Sequence, residues 1–73
     1  MRATKVSYTG MIKHAIEQAK KTGKNYFVFE DRDEYGSGRH YDYTSESFYH
    51  ESYMIPEAWV KAFVGPEGVI ETY

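Results

Sequence analysis

Histidine and carboxylate side chains are the groups in this 73-residue chain that could carry out acid–base or metal chemistry. The three histidines, His14, His40 and His50, do not show the spacing typical of metal ligands. Carboxylates are plentiful, but most lie in turn-forming sequence where they usually interact with solvent. The chain has no cysteine, which excludes disulfide bonds and thiolate metal sites. We therefore expect no catalytic residue, no metal site and no cofactor, and a protein that is not an enzyme.

An acidic segment between two strand-like runs partly resembles a calcium-binding loop. Asp31, Asp33, Gly36 and Asp42 occupy the first, third, sixth and twelfth positions of such a loop. Tyr35, however, stands where an oxygen ligand belongs. The composition therefore favours a solvated hairpin loop over a calcium site.

Tyrosine is the more informative residue type, because five of the eight tyrosines fall between residues 35 and 53. Tyrosine offers a large, rigid contact area at a low entropic cost and is enriched at protein interfaces. Carboxylates between the tyrosines would favour a partner with a basic surface. We predict a protein-binding sheet face formed by Tyr35, Tyr41, Asp42, Tyr43, Glu46, Tyr49, Glu51 and Tyr53. The alternative is that these rings only cover a thin sheet.

Charge is divided unevenly along the chain. Residues 1–24 contain six basic residues and one acidic residue, whereas residues 25–73 contain three basic residues and ten acidic ones. This division predicts one basic element and an acidic surface elsewhere, although the two could also simply attract each other. An acidic surface does not favour direct nucleic-acid binding.

The N-terminal third has the pattern of an amphipathic helix starting near Thr9. Ile12, Ala15, Ile16 and Ala19 recur at helical spacing, with charged and polar residues between them. Ser7 or Thr9 can cap the start and Gly23 can end the helix in a left-handed conformation. We predict that this helix packs its apolar stripe on a sheet.

The remaining chain is predicted to form mainly strands. Alternating residues predict strands at Asn25–Glu30, Arg39–Thr44 and Ser47–Tyr53, and the first of these, apolar on both sides, should be central. Pro56 and the apolar stripe up to Val64 predict a second helix, with Trp59 as a core anchor. Residues 2–8 and 69–73 are candidate edge strands. The predicted fold class is α+β: a three- to five-stranded antiparallel meander with two helices packed on one face, in the order (β)-α-β-β-β-α-β.

Length and hydropathy predict one domain covering residues 1–73, with no membrane segment and no signal-peptide pattern. We expect a cytoplasmic protein. Its size and composition suit a regulator of the phage or mobile-element type.

The predicted order helix, three strands, helix is similar to the double-stranded-RNA-binding domain and to the HicA-type toxin ribonucleases that share its topology. The stretch Gly36-Ser37-Gly38-Arg39-His40 loosely resembles the Gly-Ser-His stretch that leads into their second strand. The resemblance implies an RNA-binding protein or a ribonuclease in which His40 is catalytic. Our leading hypothesis is instead a protein-binding module that docks on, or inhibits, a basic nucleic-acid-handling protein. A third hypothesis is a homodimer joined through edge strands.

Overall fold

A four-stranded antiparallel sheet, in the order β2-β1-β3-β4, organises the chain. The computed structural model describes residues 7–32, 39–51 and 55–73. Its elements are α1 (Tyr8–Thr22), β1 (Tyr26–Arg32), β2 (Arg39–Ser45), α2 (Glu46–Glu51), a 3-10 turn (Glu57–Trp59), β3 (Val60–Gly65) and β4 (Gly68–Thr72). The predicted α+β class and antiparallel sheet are confirmed. The element order, α-β-β-α-β-β, differs from the predicted one after residue 45.

Helix α1 forms where the sequence predicts it because both of its ends carry strong capping residues. The hydroxyl oxygen of Ser7 accepts a hydrogen bond from the backbone N–H of Gly10 at 3.1 Å. At the other end Gly23 adopts φ 73°, and its N–H donates to the carbonyl oxygen of Ala19 at 2.7 Å. The predicted edge strand at residues 2–8 lies mostly outside the described residues, but its last two members, Ser7 and Tyr8, belong to the start of α1.

The core between α1 and the sheet depends on small helix residues. Met11, Ala15 and Ala19 are buried and face the sheet, where Val28 and Val64 are fully buried. Two alanines one turn apart let the helix approach the sheet closely. Ile12 and Ile16, which we predicted in the same stripe, are half-buried at its margin.

Strand β1 is central, as predicted. It pairs antiparallel with β2 on one side and with β3 on the other. Val28 lies opposite Tyr43 of β2 and Ala62 of β3, so all three side chains project from the face that α1 covers. Phe27 lies opposite Phe63 and projects from the other face.

The predicted strand at residues 47–53 is wrong for its described part, because Glu46–Glu51 form the short helix α2. The hydroxyl oxygen of Ser45 accepts a hydrogen bond from the N–H of Phe48 at 3.2 Å, in the manner of a helix N-cap. The N–H of Glu46 donates to the carbonyl oxygen of Asn25, which ties the helix start to the beginning of β1. These two bonds end β2 and start a helix within a segment whose alternating pattern favoured a strand.

The predicted second helix is also wrong, because residues 60–65 form strand β3 after a single 3-10 turn. Val60, Ala62 and Val64 are buried within it. Pro66 and Glu67 form the turn of a hairpin to β4, which confirms the predicted C-terminal strand. Trp59 is half-buried and lies outside the core under α1, so its predicted role as a core anchor is not seen.

The two helices lie on opposite faces of the sheet rather than on one. Helix α1 packs on Val28 and its neighbours, whereas Tyr49 of α2 contacts Phe27 on the reverse side. We call the reverse side the α2 face and define it by Phe27, Phe63, Tyr49 and Tyr73. A helix of 6 residues covers little of it.

Candidate protein-binding surface

The structure does not gather the predicted tyrosines on one face. Tyr41 and Tyr43 project from β2 toward α1 and pack against the core. The ring of Tyr8 lies 5.4 Å from the ring of Tyr41, and the ring of Tyr26 lies 5.6 Å from that of Tyr43. The predicted solvent-facing position is therefore wrong for Tyr41 and Tyr43, because pleating places them with Val28 under the helix.

Tyr49 lies on the α2 face, where it belongs to a cluster of aromatic rings. Its ring centroid lies 4.6 Å from that of Phe27, and Phe27 is in turn 4.6 Å from Phe63. The imidazole of His50 lies edge-to-face with the rings of Phe27 and Tyr49, at centroid distances of 6.3 and 5.7 Å. Helix α2 thus extends an aromatic surface that the sheet begins.

A cleft of about 220 Å³ opens beside this cluster. It is lined by Phe27, Tyr49, Glu57, Val60 and Tyr73. The cleft thus brings together the carboxylate of Glu57, in the 3-10 turn, and rings from β1, from α2 and from Tyr73, the residue after β4. No lysine or arginine among the described side chains lines it.

Tyr73 is largely exposed, at 62%, and is held in place by its neighbours. Its N–H donates to the carbonyl oxygen of Lys61 at 3.0 Å, and its phenol donates to Glu71 Oε1 at 3.1 Å. Desolvation raises the pKa of the Tyr73 phenol above its ordinary value of 10.0, and the hydrogen bond and negative charge of Glu71 and the nearby Tyr49 raise it further. The phenol therefore stays neutral at physiological pH, beside a carboxylate.

Carboxylates surround the aromatic cluster. Asp42 lies opposite Phe29 in the sheet register, so it projects from the α2 face, and it is exposed. Glu71 lies opposite Phe63 and is exposed on the same face. Glu46 and Glu51 lie on α2 and Glu57 on the turn before β3. The carboxylate of Glu46 is 3.8 Å from the imidazole of His50, an ion pair only when the histidine is protonated.

The predicted binding residues therefore divide into three groups. Asp42, Glu46, Tyr49 and Glu51 lie on or beside the α2 face, and Tyr41 and Tyr43 lie under α1. Tyr35 and Tyr53 lie outside the described residues. Asp42, Glu46, Tyr49 and Glu51 therefore still place carboxylates near an aromatic ring, as predicted.

Several residues of the surface were not in the predicted set, among them Phe27, Glu57, Phe63, Glu71 and Tyr73. A partial signal for them was present, since Glu71 and Tyr73 are two apart in a segment predicted to be a strand and so must share a face. No sequence signal placed Phe27 beside them, because that contact depends on β1 and β4 lying on either side of β3.

The opposite side of the molecule is basic. Lys13, Lys20 and Lys21 are exposed on α1, whereas Lys24, after the helix, lines a groove with Glu46 of α2. The last two helix lysines also stabilise α1, because cations near a helix C-terminus interact favourably with its dipole. The basic half of the sequence thus places Lys13, Lys20 and Lys21 on the helix that covers the face opposite α2.

The element order that underlies the resemblance to double-stranded-RNA-binding and HicA-type proteins is absent, because α2 stands where their third strand belongs. The backbone of His40 lies in β2 opposite Asp31. In residues 7–32, 39–51 and 55–73, no three His, Asp or Glu side chains are grouped so that they could hold a metal ion.

Over the same described ranges, neither helix has the length and apolar character needed to cross a membrane. No protein-family model, no curated protein and no solved structure matches this chain.

Proposed function

We propose that this protein is a non-enzymatic binding module that docks its α2 face on a basic surface of another protein. The observation that supports the proposal is the combination found there: aromatic rings that are only partly covered, and exposed carboxylates around them. Aromatic anchors supply contact area, while carboxylates select a cationic partner and speed its approach. Inhibition of a nucleic-acid-handling protein is one outcome of such docking, because its basic surface would be occupied.

Exposed aromatic area supports a protein contact over a small-molecule site. Phe48 on α2 is 57% exposed and Tyr73 is 62% exposed, so both rings present apolar area to solvent. The acids Asp42, Glu51 and Glu57 are exposed as well. A partner would cover the rings at the centre, while the acids would form a polar rim.

A charge-reversal experiment tests the proposal. Immobilised wild-type protein is used to capture partners from a lysate of the source cells, and each captured protein is then purified and its affinity measured directly. The pair Asp42→Lys and Glu51→Lys should weaken binding at least tenfold, because two attractive contacts become repulsive. Neither side chain is buried, but Asp42 Oδ1 accepts a hydrogen bond from the N–H of Tyr43 at 2.8 Å, so circular dichroism must show that the double variant keeps the fold.

The control places a single charge reversal on the other face and is compared with Asp42→Lys and Glu51→Lys made one at a time. Glu17→Lys alters an exposed acid of α1 and should leave the affinity within twofold. Equal weakening by Glu17→Lys and by these single variants would indicate a general charge effect. If the partner binds the double variant as tightly as wild type, the proposed surface is wrong.

A second candidate is self-association through β4, an edge strand. Val69 and Ile70 are 49% and 56% exposed there. The N–H of Tyr73 bonds to β3. Because the backbone N–H and C=O groups of successive residues point alternately to the two sides of a strand, those of Thr72 point to the free edge of β4. An antiparallel pair of β4 strands centred on Ile70 would place Glu71 opposite Val69 of the second copy and avoid a clash of like charges. Sedimentation equilibrium tests this candidate: a dimer that Val69→Lys converts to monomer would support it.

A further inference from the structure

The cleft on the α2 face has the composition of a receptor for one cationic side chain. Phe27, Tyr49 and Tyr73 contribute rings to its walls, and Glu57 contributes a carboxylate. Glu71 lies within hydrogen-bonding distance of the Tyr73 phenol. Aromatic faces attract cations, and the attraction is stronger in a partly desolvated cleft than in open solvent.

We propose that this cleft binds an arginine side chain of the partner, with the guanidinium group stacked on the rings and paired with Glu57. The inference rests on the proposed function and names the contact that anchors it.

Arginine fits the cleft better than lysine for two reasons. Its guanidinium is planar, so it can stack on a ring, and its several N–H donors can reach a carboxylate while it stacks. The lining supplies both features, with several rings and one acid side by side. A lysine ammonium is compact and strongly hydrated, so it would use the acid but gain less from the rings.

The geometry of the surrounding residues leaves the cleft ready for a ligand. The Phe27 ring is fixed between Tyr49 and Phe63, at 4.6 Å from each. Tyr73 is fixed by its bonds to Lys61 and Glu71. Little side-chain entropy is therefore lost on binding, which favours affinity.

Other parts of the described structure offer weaker sites. A larger cavity of about 470 Å³ lies between Asn25 and the β3–β4 turn, but no aromatic ring lines it, and its one charged group is Glu67. A groove near Tyr8 and Tyr41 already contains the basic side chain Lys61, which would repel a cation.

Peptide titration followed by NMR tests the cleft in the isolated protein. The probe is acetyl-Gly-Arg-Gly-amide, and the matched peptides carry citrulline or lysine in place of arginine. Citrulline keeps the shape of arginine and lacks its charge. We expect the arginine peptide to shift the signals of Phe27, Tyr49 and Tyr73 with a dissociation constant at least fivefold lower than that of either matched peptide.

Two variants test whether the peptide binds in the cleft. Glu57→Gln removes an exposed charge of the 3-10 turn and should weaken the arginine peptide at least threefold. Glu67→Gln, which changes an exposed acid outside the cleft, should have no effect. Equal binding of the citrulline or lysine peptide, or shifts confined to other residues, would overturn the inference.

The two proposals fail separately. If the arginine peptide does not bind the cleft but the Asp42 and Glu51 pair still controls partner affinity, the docking face remains and the arginine anchor is wrong. If the arginine peptide binds the cleft but the Asp42 and Glu51 substitutions do not change the affinity for the partner, the arginine anchor remains and the wider docking face is wrong.

Discussion

Replacing Ser45 with alanine tests whether residues 46–51 form helix α2, where the sequence pattern predicted a strand. Ser45 Oγ accepts the N–H of Phe48 at 3.2 Å, and alanine removes that acceptor. Loss of an N-cap hydroxyl costs about 1 kcal/mol of folding free energy. For a chain of 73 residues, whose total stability is roughly 4 to 11 kcal/mol, this is a measurable fraction.

The matched change is Ser47→Ala. Ser47 is exposed and lies inside α2, where alanine has the higher helix propensity. We expect Ser47→Ala to be neutral or to stabilise by up to about 0.5 kcal/mol. If residues 47–53 formed a strand instead, alanine at position 47 would be unfavourable, because alanine is depleted in strands.

Urea denaturation followed by circular dichroism measures both effects. The free energy of unfolding is compared at constant slope, so that a change in midpoint reports stability alone. In a thermal scan the Ser45→Ala variant should melt about 4 to 8 °C below wild type. The reasoning is refuted if the Ser47 variant is destabilised as much as the Ser45 variant, since the two positions would then not differ as an N-cap and a residue of the first helical turn do.

Further substitutions test the core, a helix end and the phenol of Tyr73. Val28→Ala at a fully buried position should cost about 2 to 3 kcal/mol, since two methyl groups and their packing are lost, whereas Val69→Ala at a half-exposed position should cost less than about 1 kcal/mol in the same urea experiment. Gly23→Ala should destabilise by about 1 kcal/mol although no atom lies within 4 Å of the added carbon, because a φ of 73° disfavours any side chain, and an unchanged melting temperature would contradict this. The raised pKa of Tyr73 makes its neutral form the more stable one in the folded protein, so this contribution is complete below pH 10.0 and is lost as the pH rises through the folded value. Glu71→Gln should lower that pKa, as read from the difference in phenolate absorbance between proteins with and without Tyr73→Phe, and an unchanged midpoint would show that Glu71 does not act on the phenol.

Local signals were sufficient for the first half of the fold. Ser7, the stripe Ala15 and Ala19, and Gly23 define α1 within one residue of the predicted limits, because caps and helical periodicity act over a few neighbouring residues. The central position of β1 also followed from its sequence, since only a strand covered on both faces has apolar residues on both.

The same kind of signal misled after residue 45. Val60, Phe63 and Val64 fit a helical stripe and also fit a strand that is apolar on both faces. The strand is stable because β1 offers it a free edge and because Pro66-Glu67 turns it back onto β4. The local sequence does not reveal the pairing with β1 or β4, so tertiary pairing decides that residues 60–65 form a strand and not a helix.

The candidate site shows the same limit. In the sequence, tyrosines interspersed with carboxylates predicted a protein-binding surface. In the structure, Tyr41 and Tyr43 instead pack against the core under α1. Only the sheet order brings Phe27 beside Tyr49 and Tyr73, and these come from segments more than twenty residues apart.

The sequence by itself determined the composition of this protein's surfaces: one basic helix, many tyrosines and an acidic remainder. It also determined α1 and the alternation within β1 and β2, because these depend on interactions between near neighbours. The tertiary structure decided which face each ring occupies and which edge of β1 receives β3. The physical reason is that a side chain's face is set by the pairing register and by the element packed above it, and both depend on residues distant in the chain.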